Sequence, residues 1–102
     1  MTTAIIQARM GSQRLPGKVM MKILKKPILY FVINQIKQCK HVDKIIVATT
    51  TLSKDDVIHN YAKSLGVDTF RGNPSNVLDR YFQCAKKNKI KKILRITADD
   101  PL

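Results

Sequence analysis

Residues 3–8 read Thr-Ala-Ile-Ile-Gln-Ala, a mostly apolar, β-branched run that stops at a polar segment containing glycine. Continuous runs of this kind are typical of strands that are buried on both faces of a parallel sheet. A second run of the same character, Lys-Ile-Ile-Val-Ala-Thr-Thr, occupies positions 44–50. The two runs therefore predict two buried parallel strands in the interior of one sheet.

Apolar residues recur at helical spacing in the segments between the predicted strands. The first predicted helix begins at Pro27 and ends at about Cys39, since proline suits a first helical turn. Ser53 is predicted to cap a second helix, which ends at Gly66, and a third helix begins at about Asn76. The predicted apolar stripe of this third helix consists of Val77, Leu78, Tyr81, Phe82 and Ala85.

Two further runs, at positions 67–70 and 92–97, complete the pattern as a third and a fourth strand. The order βαβαβαβ is the signature of a layered α/β fold with a mainly parallel sheet and right-handed crossovers. We predict the strand order 3-2-1-4, which places the first and fourth strands side by side. Arg95 alternates with apolar residues in the fourth strand and is predicted to lie at the edge of the sheet.

The length of 102 residues and the apolar content of 44% indicate a single folded domain. The sequence has no apolar run long enough for a bilayer and no signal-peptide pattern at Met1, so we expect a soluble, cytoplasmic protein without a membrane partner. Cys39 and Cys84 lie far apart without metal-ligand spacing. They are predicted to be buried free thiols.

Positive charge dominates the sequence and is concentrated near its beginning. The formal net charge of +12 results from 19 Lys and Arg residues against 7 acidic residues, every one of them Asp. No acidic residue precedes Asp43. Such a balance favours anionic partners, and the first quarter of the chain is suited to phosphate.

A basic loop containing two glycines follows the first predicted strand. Positions 8–18 read Ala-Arg-Met-Gly-Ser-Gln-Arg-Leu-Pro-Gly-Lys. Glycines let backbone N–H groups approach phosphate oxygens, and guanidinium and ammonium groups add charge. The loop matches neither the Walker motif nor the dinucleotide fingerprint. Its composition alone leaves two alternatives open, a phosphate-binding loop or an ordinary basic surface loop.

Adjacent carboxylates follow the fourth predicted strand, where positions 97–102 read Thr-Ala-Asp-Asp-Pro-Leu. A carboxylate at this point could hold Mg²⁺ against a bound triphosphate, although paired Asp residues also occur in plain turns. Ligands bind at the carboxyl ends of strands in open α/β sheets, at the point where the strand order reverses. In the order 3-2-1-4 that point lies between the basic loop and these carboxylates.

The loop at 8–18 resembles the signature of the cytidylyltransferases that make CMP-activated acidic sugars, and within them the spore coat polysaccharide biosynthesis protein F group. The segments at 45–50, 70–72, 77–81 and 97–101 follow in the order of that family. The resemblance implies a Rossmann-like nucleotidyltransferase fold of the GT-A type. It covers residues 1–102 as the N-terminal, nucleotide-binding part of the family's domain, so we expect the chain to be truncated.

The resemblance also implies roles for individual residues. Arg9 and Lys18 would bind the triphosphate of CTP, and Asp99 would be the metal ligand for Mg²⁺. The remaining implied nucleotide contacts are Ala8, Gly11, Ser12, Arg14, Arg71, Ser75, Asp79, Arg80 and Thr97. From the residues alone, Asp79 and Arg80 could equally form a pair on the surface of a helix.

The implied reaction is cytidylyl transfer from CTP to an acidic sugar with release of pyrophosphate. A nucleotide-binding fragment without turnover is the first alternative, and a basic nucleic-acid-binding module is the second, less favoured because the sequence lacks an aromatic platform or a helix-turn-helix pattern. We expect a homo-oligomer, because the fourth strand presents an apolar edge. We further expect weak nucleotide binding and no transfer, because the acceptor pocket of the family lies beyond residue 102.

Overall fold

The computed structural model describes residues 1–11 and 17–98. Ser12 and Arg14 of the basic loop therefore lie outside the described residues, as do Asp99 and Asp100 after the last strand. The predictions made for these four residues remain predictions.

Four parallel strands form the central sheet. Strand β1 spans Thr2–Gln7, β2 spans Lys44–Thr50, β3 spans Asp68–Gly72 and β4 spans Lys92–Thr97. The strands are ordered β3-β2-β1-β4, and all three neighbouring pairs are parallel. The predicted strand order and fold class are thus confirmed.

Among the described residues, three α-helices cover the two faces of this sheet. Helices α1 (Ile28–Lys37) and α2 (Asp56–Ser64) pack on one face, and α3 (Val77–Lys87) packs on the other. Successive strand residues point to opposite faces, so Ile6 and Val47 meet α1 and α2, whereas Ile5 and Ile46 meet α3. Each of these buried aliphatic side chains stabilises the fold by about 1.5–3 kcal/mol relative to full exposure.

Helix α3 presents a different face to the sheet from the one predicted. Tyr81 is buried as expected, but Leu78 is 68% exposed and Phe82 is 62% exposed. The inward positions are taken by Arg80 and Cys84, each with no exposed surface. The predicted stripe is therefore wrong at Val77, which is 42% exposed, and at Leu78 and Phe82. The guanidinium of Arg80 finds hydrogen-bond acceptors inside the protein, so the helix turns that side chain inward.

The start of α2 also differs from the prediction. A single 3-10 turn, Ser53–Asp55, precedes the helix, and no side chain caps either element. Ser53 begins this turn and does not cap α2, so the prediction is wrong at this residue. The extra turn leaves the carboxylate of Asp55 free to point into the protein. At the other end of α2, Gly66 has φ of 76°, which confirms the predicted left-handed position.

A short antiparallel hairpin, which the sequence analysis did not predict, joins the basic loop to α1. Lys22–Ile23 pairs with Lys26–Pro27, and the two turn residues Leu24 and Lys25 have φ of 52° and 71°. A two-residue turn with both residues left-handed matches the twist of a hairpin but usually contains Gly or Asn. Because Leu24 and Lys25 are unusual in such a turn, no local pattern predicts this hairpin.

Strand β4 forms an outer edge of the described sheet, as predicted for Arg95. The guanidinium of Arg95 lies 5.6 Å from the centre of the Tyr81 ring, and Ile93 and Leu94 on the same strand are about two-fifths exposed. Cys84 is a buried free thiol as predicted, whereas Cys39 is only half-buried. None of the helices formed by the described residues has the length and apolar character required to cross a membrane.

Candidate functional site

The carboxyl ends of β1 and β4 lie side by side and border a cavity of about 180 Å³. Gln7 on β1 is opposite Thr97 on β4, and the N–H of Ala98 donates to the Gln7 carbonyl at 2.9 Å. The cavity is lined by Gln7, Ala8, Arg9, Val19, Val77 and Thr97. The structure thus brings together three residues that the sequence analysis singled out, Ala8, Arg9 and Thr97.

The basic loop is fastened at both of its described ends. Ala8 donates its N–H to the carbonyl of Ala48 at 3.0 Å, which continues the pairing of β1 with β2. Farther along, Gly17 donates to the carbonyl of Met10 at 2.7 Å, and its φ of 77° is a conformation that favours glycine. Lys18 follows directly in a 3-10 turn that also contributes Val19 to the cavity wall. Arg9 and Lys18 therefore belong to one closed loop beside the cavity.

A second lysine, which the sequence analysis did not select, approaches this loop at Gly11. A Cβ atom placed on Gly11 would lie 2.9 Å from the ammonium of Lys54 and 3.8 Å from Nη1 of Arg9. The absence of a side chain at Gly11 therefore allows two cationic groups from distant parts of the chain to converge. Such a concentration of charge beside exposed backbone is suited to a polyphosphate.

Asp55 connects this loop to the segment that follows β2. Its side chain has no exposed surface, and Oδ1 accepts the backbone N–H of Met10 at 2.7 Å. Its other oxygen, Oδ2, accepts the hydroxyl of Thr50. The carboxylate of Asp55 therefore holds the basic loop in place through its own backbone.

Arg71 stabilises the segment that follows β2. Its Nε donates to the carbonyl of Thr50 and its Nη2 to the carbonyl of Leu52, both at 2.8 Å. Its Nη1 lies 2.7 Å from Oδ1 of Asp56. Arg71 is thus engaged with the protein and does not line the cavity of about 180 Å³. Its contact with a nucleotide stays a prediction.

Arg80 lies in the interior and not on the surface of α3, so the interpretation of this residue as a surface pair is wrong. Its Nε donates to Oε1 of Gln7 at 3.1 Å, and its Nη1 donates to the carbonyl of Asn73. Burial lowers the pKa of Arg80, and the positive charge of Arg9 lowers it further. A Cβ on Gly72 would lie 3.1 Å from Cγ of Arg80, so glycine leaves room for the arginine stem.

The other predicted contacts on this side of the sheet are Ser75 and Asp79. Ser75 is exposed and its hydroxyl donates to Oδ1 of Asn73 at 2.9 Å. The N–H of Asp79 donates to the side chain of Asn76, which caps α3, and the Asp79 side chain is half-buried. Neither residue lines the cavity, so their nucleotide contacts also stay predictions.

The strand order and the basic loop at the carboxyl end of β1 define an α/β domain of the nucleotidyltransferase fold. A sequence model of the cytidylyltransferase family matches residues 3–102. The chain belongs to this family, which confirms the resemblance seen in the basic loop.

Individual relatives agree with this assignment. The chain is 45% identical over 98 residues to the uncharacterized protein MJ1063 of Methanocaldococcus jannaschii. The alignment covers 96% of the chain and 40% of that relative. It is 36% identical over 101 residues to the spore coat polysaccharide biosynthesis protein SpsF of Bacillus subtilis, covering 95% of the chain and 42% of SpsF.

A solved structure and a second group of named enzymes extend the comparison. A cytidylyltransferase from Leptospira borgpetersenii superimposes with a TM-score of 0.91 at 39% identity, covering 98% of the chain and 42% of that structure. The 3-deoxy-manno-octulosonate cytidylyltransferase of Syntrophotalea carbinolica is 29% identical over 100 residues, covering 98% of the chain and 39% of that enzyme. The chain thus spans about two-fifths of the length of the relatives it matches.

Proposed function

We propose that this chain is the nucleotide-binding part of a CTP-dependent cytidylyltransferase that acts on an acidic sugar in the synthesis of a surface polysaccharide. The observation that carries the proposal is the cavity at the ends of β1 and β4, which Arg9 lines and which the closed basic loop borders. The names of SpsF and of the 3-deoxy-manno-octulosonate cytidylyltransferases support the sugar and the pathway.

In the proposed reaction, a hydroxyl oxygen of the sugar attacks the α-phosphorus of CTP. A new phosphorus–oxygen bond forms, the bond from the α-phosphorus to the bridging oxygen breaks, and pyrophosphate leaves with the electron pair, while the hydroxyl proton passes to water. Catalysis of this kind depends on positioning and on the stabilisation of phosphate charge. Arg9 and Lys18 are proposed to bind the triphosphate, and Lys54 lies near enough to Gly11 to add a third positive charge.

The proposal includes Mg²⁺ with Asp99 as a ligand, which would add charge stabilisation at the phosphates. Within residues 1–11 and 17–98, no group of three His, Cys or Asp side chains is arranged to hold a metal ion. Asp99 lies outside this part of the chain, so its role as a metal ligand stays part of the proposal.

Titration with CTP, UTP and a DNA oligonucleotide, each with and without Mg²⁺, tests the proposal. We expect Lys18→Ala to weaken CTP binding by about tenfold or more while changing cytidine binding little, because one phosphate contact is lost. Lys91→Ala removes the same charge from the exposed surface before β4, at the opposite end of the sheet, and serves as the control.

Two outcomes would contradict this function. Equal losses of CTP and cytidine affinity in Lys18→Ala would mean that Lys18 acts through folding. Tight DNA binding without preference for CTP would favour a basic nucleic-acid-binding module.

A further inference from the structure

Two buried nitrogen atoms, on a pair of residues that are hydrogen-bonded to each other, lack partners among the described residues. They are Nε2 of Gln7 and Nη2 of Arg80. Gln7 is 5% exposed and Arg80 has no exposed surface. Leaving a buried donor unpaired costs about 1–3 kcal/mol, so two of them at one site require an explanation.

The hydrogen bond between these residues fixes which end of the Gln7 amide is available. Nε of Arg80 can only donate, so the atom of Gln7 that it contacts at 3.1 Å must be the carbonyl oxygen Oε1. The Gln7 amide therefore presents its N–H₂ group as the remaining polar group. Arg80 is itself held by the carbonyl of Asn73, so the orientation of the amide is set by a chain of contacts inside the protein.

The position of Gln7 places this buried donor in the wall of the cavity. Gln7 lines the cavity, at the last residue of β1 and immediately before Ala8 and Arg9. A nucleotide whose phosphates contact Arg9 would have its ribose and base near the carboxyl ends of β1 and β4. A buried amide that offers only N–H groups selects for an acceptor, such as a ring nitrogen or a carbonyl oxygen.

We propose that Gln7 is a specificity-determining residue that donates a hydrogen bond to N3 of cytosine, and that Arg80 is a positioning residue that holds the Gln7 amide in the donating orientation. Cytosine carries an unprotonated N3, whereas uracil carries an N–H there. An amide that can only donate at this position therefore favours the binding of cytosine over that of uracil. This inference rests on the proposed function and adds to it the residues that distinguish CTP from UTP.

The substitution Gln7→Glu tests the proposal in the full chain. The carboxylate preserves the shape of the side chain and can still accept from Arg80, but it presents an acceptor where the amide presented a donor. We expect CTP affinity to fall by about tenfold or more and the preference for CTP over UTP to disappear. Gln35→Glu, at an exposed position on α1, adds the same negative charge as a matched control and is expected to leave that preference unchanged.

The substitution Arg80→Lys tests the positioning role separately. Lysine keeps the positive charge but lacks the Nε–H that fixes the amide, so the Gln7 side chain can rotate. We expect the CTP-to-UTP affinity ratio to fall toward one, while the affinity for inorganic tripolyphosphate, which has no base, stays within about twofold of the wild type.

The outcomes separate this inference from the function on which it rests. A wild-type protein that binds neither CTP nor tripolyphosphate would overturn the proposed function. A wild type that prefers CTP, together with a folded Gln7→Glu variant of unchanged preference, would overturn the role of Gln7 alone. Circular dichroism and thermal unfolding establish that each variant is folded, and a folded Arg80→Lys variant with an unchanged ratio would overturn the positioning role of Arg80.

Discussion

The carboxylate of Asp55 accepts the backbone N–H of Met10 at 2.7 Å, although the two residues are 45 positions apart in the sequence. This bond joins the basic loop after β1 to the segment after β2. Because Asp55 has no exposed surface and also accepts the Thr50 hydroxyl, one carboxylate satisfies two groups that water does not reach easily. The conformation of the proposed phosphate-binding loop thus depends on a residue outside that loop.

Asp55→Ala is expected to destabilise the protein and loosen the loop. The substitution leaves the Met10 N–H and the Thr50 hydroxyl without their acceptor, at a cost of about 1–3 kcal/mol for each group. Urea denaturation measures the loss in unfolding free energy. Asp56→Ala is the matched control, because Asp56 is exposed and its ion pair with Arg71 should contribute about 1 kcal/mol or less. Equal losses in the two variants would contradict a buried anchoring role for Asp55.

The sheet could be predicted from the sequence because its strands carry their own signal. The run at 44–50 is continuous, β-branched and bounded by polar residues, and β2 spans those same residues. The layered α/β class followed from the alternation of strands and helices and from the general preference for crossovers of one hand. The hairpin at 22–27 carried no comparable signal, because Leu24 and Lys25 are not typical of a left-handed turn.

The interior of the site could not be predicted in the same way, because it depends on contacts between distant residues. For Arg80 the sequence left two alternatives open, a nucleotide contact and a pair on the surface of a helix, and neither indicated a buried position. The acceptor of Arg80 on Gln7 is 73 positions away, so no local pattern indicates it. Lys54 and Asp55 were equally inconspicuous, since each reaches the basic loop from another element. The basic loop itself was recognisable because its glycines and cations are contiguous.

Cys84 is expected to be unreactive in the folded protein. Burial raises the pKa of its thiol to about 11, so about one molecule in a thousand carries the thiolate at pH 8. Titration with DTNB should therefore detect one accessible thiol, Cys39, in native protein and two in urea. Cys39→Ser should abolish the native reaction and keep the reaction in urea. Two rapidly reacting thiols in native protein would contradict the buried position of Cys84.

The 102-residue chain is expected to self-associate, because large apolar side chains remain at its surface. Leu78 and Phe82 on α3 are both more than three-fifths exposed, and β4 adds Ile93 and Leu94 at the sheet edge. Exposed apolar groups and unpaired strand edges both favour association. Sedimentation equilibrium should show a concentration-dependent mass that decreases in Phe82→Lys. A monomer at every concentration in the unaltered chain would contradict this expectation.

His59 is expected to make the fold less stable in acid. Burial lowers its pKa below the ordinary value of 6.5, and the positive charges of Arg71 and Lys63 lower it further, against a smaller opposing effect of Asp56. The unfolded chain therefore binds a proton at His59 at a higher pH than the folded protein does. Stability associated with His59 is complete above pH 6.5 and decreases as the pH falls from there toward the folded pKa.

His59→Gln removes this proton uptake, so we expect its unfolding free energy to decrease less than that of the wild type between about pH 7 and about pH 5. Urea denaturation at a series of pH values measures the two slopes. His41→Gln makes the same change at an exposed position and should retain the slope of the wild type. If His59→Gln also retained that slope, the unfavourable protonation of His59 in the folded state would be contradicted.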